Sequence, residues 1–237
     1  VTSAVPEASP EPPFSVRDPF FINDSGVTHL TLVRHAQQAY PHEDVFDHTA
    51  WDDPQLSQLG HTQAHAVAAL LGEQPVQAVY CSTMSRARQT AEMIASTHGL
   101  PVIPVADLRE VDSYRDLPDD VAPTDVIDAQ EWQERQDRYR VERRWDLIPF
   151  SEPSVDFRAR VLAAVREIVD RHPGERIVII CHGGVINAVI ADALGLDEDL
   201  FFLPYHASLS TLVDKDGVRR LFSVNEHRHL HPGILTN

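Results

Sequence analysis

The stretch LTLVRHAQQAY, residues 30–40, opens as an apolar, β-branched run and stops at two polar neighbours, Arg34 and His35. Leu30, Leu32 and Val33 predict a strand over residues 28–33. Arg34 and His35 are costly to bury without partners, so a strand that delivers them to its carboxyl end needs a reason. Residues 36–55 are polar and rich in turn formers, and predict a loop.

Strand and helix patterns then alternate along the chain. Ser57 is placed to cap a helix that runs to about Leu71, before Gly72. VQAVYCS (76–82) reads as a strand, and SRARQTAEMIASTHG (85–99) as a helix stopped by Gly99. LPVIPVADL (100–108) holds a short extended segment. Residues 111–152 are charged and loop-rich, with helical stretches around 129–145. Ser154 is expected to cap a helix with Phe157, Val161, Val165, Ile168 and Val169 on one face, ended by Pro173-Gly174. RIVII (176–180) predicts a strand apolar on both faces, followed by CHGG and a helix to about Leu194. Two final strands, LSTLVD and VRRLFSVN, are joined by a turn at Asp216-Gly217.

This order predicts an α/β fold: a mostly parallel central sheet flanked by helices on both sides. Ligands of such sheets bind at the carboxyl ends of the strands. Arg34 and His35 end one strand there, His182 ends another, and Arg86 lies in the first turn of the helix after a third. Two arginines can grip phosphate oxygens through forked, charge-assisted hydrogen bonds. The helix starts behind Arg86 and His182 are expected to add free N–H groups. A neutral imidazole can attack phosphorus to give a phosphohistidine, with the positive charge stabilising the transferring group. Arginines in that role make a metal unnecessary.

Composition limits the alternatives. The 237 residues suffice for one domain with a full core, and a net charge of −16 argues against nonspecific binding to nucleic acid or an anionic membrane. No apolar run approaches the roughly 18 residues that read as a membrane helix. Two cysteines, Cys81 and Cys181, argue against a disulfide framework and fit small core residues in a reducing cytoplasm. Residues 1–25, rich in Pro, Ser and Glu at their start, are expected to form a flexible tail without a signal-peptide pattern. Arg88 is expected on the surface in a salt bridge. His227, His229 and His231 alternate but are expected to be packing or solvated groups rather than metal ligands.

Several stretches resemble the histidine phosphatase superfamily, in its phosphoglycerate mutase-like branch. They are LVRHAQ, LSQLGHTQA, VYCSTMSRARQTAEMIA, IVIICHGGVINAVI and the late SVNEHRHL, in that order, spanning roughly residues 28–230. The resemblance implies a domain over residues 26–237 with a cap-like insertion near 111–152. It implies that His35 is the nucleophile and that Arg34, Arg86 and His182 bind the phosphoryl group and stabilise the transition state. Glu110, in DLREVDS, matches the acid/base carboxylate. Pro41 stands where the family often has an Asn, so Gln37 is expected to replace that phosphate contact. Arg143 and Arg144 match a paired arginine of the mutases and would hold a second anionic group.

The expectation is a phosphomonoesterase acting on a small phosphorylated metabolite through a phosphohistidine, with no cofactor. A mutase-like phosphotransferase is the alternative, and a phosphate-binding module without turnover is a second. Edge strands able to pair between subunits add a homodimer to the expectations.

Overall fold

In the computed structural model, residues 18–21, 24–40, 53–113, 115–118, 121 and 123–237 are described. Most of the expected N-terminal tail and loop residues 41–52, Pro41 among them, lie outside these.

The elements follow in the order β1 (Thr28–Arg34), α1 (Gln58–Gly72), β2 (Ala78–Ser82), α2 (Ser85–His98) and β3 (Val102–Val105). After them come α3 (Pro123–Val126), α4 (Ala129–Glu142), α5 (Ser154–Asp170), β4 (Arg176–Cys181) and α6 (Gly183–Leu194). The chain then forms the hairpin β5 (Leu209–Lys215) and β6 (Val218–Glu226).

Six strands form one sheet in the order β3-β2-β4-β1-β5-β6. The first four are mutually parallel, and β5 joins β1 antiparallel. The hairpin turns at Asp216 and Gly217, both at positive φ (54° and 76°), the pair that a tight right-twisted hairpin requires.

The period-two geometry of β4 divides the core. Ile177, Ile179 and Cys181 face one side, where Phe157, Val161, Val165 and Ile168 of α5 and the apolar side of α6 cover them. Val178 and Ile180 face the other, beneath Val67 and Leu71 of α1 and Ala87, Ala91 and Ile94 of α2. Both cysteines are buried and free. Full burial on both faces explains the unbroken apolar run that marks β4 in the sequence.

Two helix starts are instructive. Ser57 caps α1 as expected, its hydroxyl accepting from the Gly60 N–H at 2.9 Å. A Cβ at Gly60 would collide with the Gln37 carbonyl, so glycine there lets the loop after β1 lie against α1. Ser154 does not cap α5. It is the first helical residue; its N–H donates to Asp146 at 2.8 Å and its hydroxyl donates to Asp199 at 2.6 Å. A carboxylate from the preceding turn replaces the local cap and ties the cap segment to α5.

Among the described residues, no helix is long and apolar enough to cross a membrane.

Candidate active site

The register of β1 on β4 sets Arg34 opposite Cys181, so His35 and His182 leave the sheet side by side. Their rings stand 5.0 Å apart between centroids, tilted by 59°. The His35 main chain is fixed from both sides: its N–H donates to the Cys181 carbonyl at 2.9 Å, and its carbonyl accepts from Ala207 at 3.3 Å.

His35 is 4 % exposed, and its Nδ1 lies 2.8 Å from the Ala36 carbonyl. A carbonyl only accepts, so Nδ1 carries the proton and Nε2 presents a lone pair. Arg86 Nε approaches that Nε2 at 3.2 Å. Burial, followed by the charges of His182, Arg86 and Arg34, holds His35 well below the usual imidazole range. The ring is therefore neutral, with the lone pair of Nε2 facing a guanidinium.

Arg86 sits in the first turn of α2, and Arg34 ends β1 with Nη1 donating to the Pro204 carbonyl. His182 occupies the residue before α6, fully buried, with Nε2 2.8 Å from the Ser82 hydroxyl. Burial and then the charges of Arg86 and Arg34 push its pKa well down. Three buried nitrogens around His35 have no hydrogen-bond partner among the described residues: Arg34 Nε, His182 Nδ1 and His206 Nε2. Leaving such groups unsatisfied is costly, and a bound anion would satisfy them together.

Glu110 reaches the start of α6. Its Oε2 accepts from the Gly184 N–H at 3.0 Å and its Oε1 from Val111 at 3.1 Å. A Cβ at Gly184 would strike Glu110 and crowd Trp145, so only glycine admits the carboxylate there. Desolvation raises the Glu110 pKa, opposed by these two N–H groups and by Arg86 and Arg34. Arg160 of α5 fixes the segment. It donates to the carbonyls of Asp107, Arg109 and Glu110 and forms a two-armed bridge to Glu152 at 2.8 and 2.7 Å.

The structure thus brings Arg34, His35, Arg86, His182 and Glu110 together. Gln37 stands apart. Its carboxamide oxygen accepts from the Ser57 hydroxyl at 2.8 Å and its N–H donates to Gln63, so it serves the α1 junction. Arg143 and Arg144 are exposed at the end of α4, and no contact joins either guanidinium to the buried groups. Arg143 is held by its main chain, in the left-handed conformation with its carbonyl accepting from Leu200.

The expected helix-end amides are also spoken for in part. Asp53 takes both the N–H and the hydroxyl of Ser85 at the start of α2, and Glu110 takes the Gly184 N–H of α6. The three late histidines bind locally: His227 to the Asn225 carbonyl, His229 to the Ala207 carbonyl, His231 to the Gly233 N–H. Ser82, His206 and Arg160 were not singled out by the sequence reading. Each meets its partner from a distant element, which no local pattern announces.

The model of the histidine phosphatase superfamily (branch 1) matches residues 30–227. A metal-independent phosphoserine phosphatase of Arabidopsis thaliana is 35% identical over 179 residues, 70% of this chain and 68% of that protein. A 2,3-bisphosphoglycerate-dependent phosphoglycerate mutase of Methylobacterium sp. (strain 4-46) is 32% identical, over 72% of this chain and 82% of its own. Among solved structures, a mycobacterial glucosyl-3-phosphoglycerate phosphatase superposes with a TM-score of 0.67 at 26% identity, over 85% of this chain and all of that one. The strand-end histidines, the arginines beside them and these likenesses converge: the chain belongs to the histidine phosphatase superfamily, branch 1.

Proposed function

We propose that this protein is a phosphomonoesterase that hydrolyses a small phosphorylated metabolite through a covalent phosphohistidine on His35, without a metal. The observation that carries this reading is the neutral His35, its Nδ1–H on the Ala36 carbonyl and its Nε2 lone pair turned to Arg86 Nε at 3.2 Å, a hydrogen bond that an arriving phosphoryl group would take over.

In the first step the Nε2 lone pair forms a P–N bond as the ester P–O bond breaks. Arg34, Arg86 and His182 stabilise the charge on the transferring oxygens. Glu110, with its raised pKa, delivers its proton to the leaving oxygen. In the second step the same carboxylate takes a proton from water. The new P–O bond forms, the P–N bond breaks, and inorganic phosphate leaves with His35 restored.

The relatives support hydrolysis of phosphorylated carboxylic acids in particular. Their names include phosphoserine, 2-carboxy-D-arabinitol-1-phosphate and glucosyl-3-phosphoglycerate phosphatases. The buried, unpaired Cys81 and Cys181 suit a reducing cytoplasm.

The test is a panel of phosphomonoesters, led by phosphoserine and phosphoglycerate derivatives, run with chelator beside His35→Ala. Turnover that resists chelation, a phosphoenzyme trapped by acid quench, and a loss of about 10⁴-fold or more in the variant are expected. Unchanged turnover in His35→Ala overturns the reading. Transfer to a second phosphoglycerate in preference to water would instead favour a mutase, as the Methylobacterium relative suggests.

A further inference from the structure

His206 belongs to no motif that identified the site, yet it lies on it. It is fully buried in the turn before β5, and its ring centroid is 5.6 Å from that of His35. Its neighbour Ala207 donates its N–H to the Arg34 carbonyl at 3.0 Å, which locks the turn onto the nucleophile strand. The charges of Arg34 and Arg86 both act on the ring.

The ring is held by one edge. Its Nδ1 lies 3.0 Å from the Thr236 hydroxyl, and the Thr236 carbonyl, which accepts from the His206 main-chain N–H at 2.9 Å, also acts on the ring. Nε2, on the other edge, is buried without a partner among the described residues.

The hydrogen bonds around Thr236 bear on which nitrogen holds the proton. Gln63 Oε1 accepts from the Gln37 N–H, which fixes its amide orientation. Gln63 Nε2 then donates to the Ile234 carbonyl at 2.6 Å and to the Thr236 hydroxyl at 2.8 Å. A hydroxyl accepts twice and donates once, so with Gln63 donating to it, it is able to turn its proton to His206 Nδ1, and Nε2 then carries the hydrogen. On the opposite side the Ser82 hydroxyl accepts from the Met84 N–H and faces His182 Nε2, while His182 Nδ1 has no partner among the described residues.

We propose that His206 is a third histidine of the phosphoryl site, giving a neutral Nε2–H hydrogen bond to an equatorial oxygen of the transferring group, with Gln63 and Thr236 as positioning residues that hold it in the donating tautomer. This rests on the phosphoryl-transfer reading above. It gives the site a donor that adds no charge next to His35, where a further cation would depress its basicity. The C-terminal segment around Ile234–Thr236 thereby becomes part of the machinery rather than a tie across α1.

The experiment uses the full chain with inorganic vanadate as a mimic of the transition state and an aryl phosphate as substrate. Four variants are compared: His206→Phe, His206→Gln, Thr236→Val and Thr236→Ser. His206→Phe keeps the ring volume without a donor, and is expected to weaken vanadate inhibition and lower kcat together, each by about 100-fold. His206→Gln restores an N–H and recovers most of the loss. Thr236→Val costs a few-fold in kcat, and Thr236→Ser is close to the parent. Thermal unfolding of each variant separates folding from chemistry, and if His206→Phe fails to fold, the contrast between Gln and the Thr236 pair decides.

Vanadate inhibition unchanged in a folded His206→Phe, or His206→Gln as poor as Phe, overturns the proposal while leaving His35 chemistry intact. A parent chain that hydrolyses no ester but binds vanadate in a His206-dependent way would reject the phosphatase reading and keep this one.

Discussion

The floor of the site and the segment above it are built by opposite means. The floor is the carboxyl end of β1, β2 and β4, where His35, Arg86 and His182 are each under 10 % exposed and linked through buried partners. In α4, within the segment expected to act as a cap, no residue is buried, and the ion pairs Glu131–Arg135 and Arg138–Glu142 lie on its surface. Such exposed pairs, screened by water and salt, add little to stability. The cap is anchored at its far end instead: Trp145 N–H to Asp199, Asp146 to the start of α5, and Glu152 to Arg160. A rigid floor suits steps that need exact alignment of reacting atoms, whereas an exposed, lightly tied helix suits the choice of leaving group. Trp145 joins the two, packing over Gly184 beside Glu110.

Glu110→Gln tests the floor most severely. It is expected to lower kcat by about 10² to 10⁴-fold on esters with poor leaving groups, and far less on an activated aryl phosphate. It should also reveal a stability cost. A carboxyl whose folded pKa is raised stabilises the fold only at low pH, and that contribution is lost as pH rises through the folded value. A Gln supplies one acceptor where Glu110 uses two, so the readout is the pH dependence: relative to the parent, the Gln variant should gain in melting temperature as pH rises from about 4 toward neutrality. A difference that does not change with pH would show that Glu110 is better solvated than its packing indicates.

Arg160→Ala sharpens the comparison at the boundary. It leaves Glu152 without its partner and frees the carbonyls of residues 107, 109 and 110. About 2–3 kcal/mol of stability should go. The distinguishing readout is the alkaline limb of the kcat profile, which should move as the Glu110 environment loosens. A lower melting point with an unmoved limb would make Arg160 a scaffold residue alone.

The cap should respond weakly in stability and selectively in substrate. Arg138→Ala should leave the melting temperature essentially unchanged. Replacing Arg143 and Arg144 with Ala should raise KM for substrates carrying a second anionic group while leaving aryl phosphate turnover unchanged. Equal losses on both substrates would remove the division between floor and cap.

Sequence reading captured the floor because its elements carry local signals. Leu30–Val33 and Ile177–Ile180 are apolar runs that end in polar residues, and Arg86 follows a strand by a few positions. Partners such as Ser82 for His182, separated by 100 residues, carry no local signature. Ser154 misled because serine before an amphipathic run is a usual cap, whereas here Asp146 from another turn supplies the acceptor. Gln37 misled because proximity in sequence to His35 does not fix direction: the chain turns there, and the carboxamide meets Ser57.

The strand that bears Arg34 and His35 lies between β4 and β5, each more than a hundred residues away along the chain. Contacts of that span close large loops before they return energy, so folding of this sheet is governed by non-local pairing and is slow compared with a helical bundle. Helices α1 and α2 can form early from neighbouring sequence, but His35 acquires its surroundings only when the β5–β6 hairpin docks. Until then the chain carries the residues of the site without the pocket that sets their pKa values.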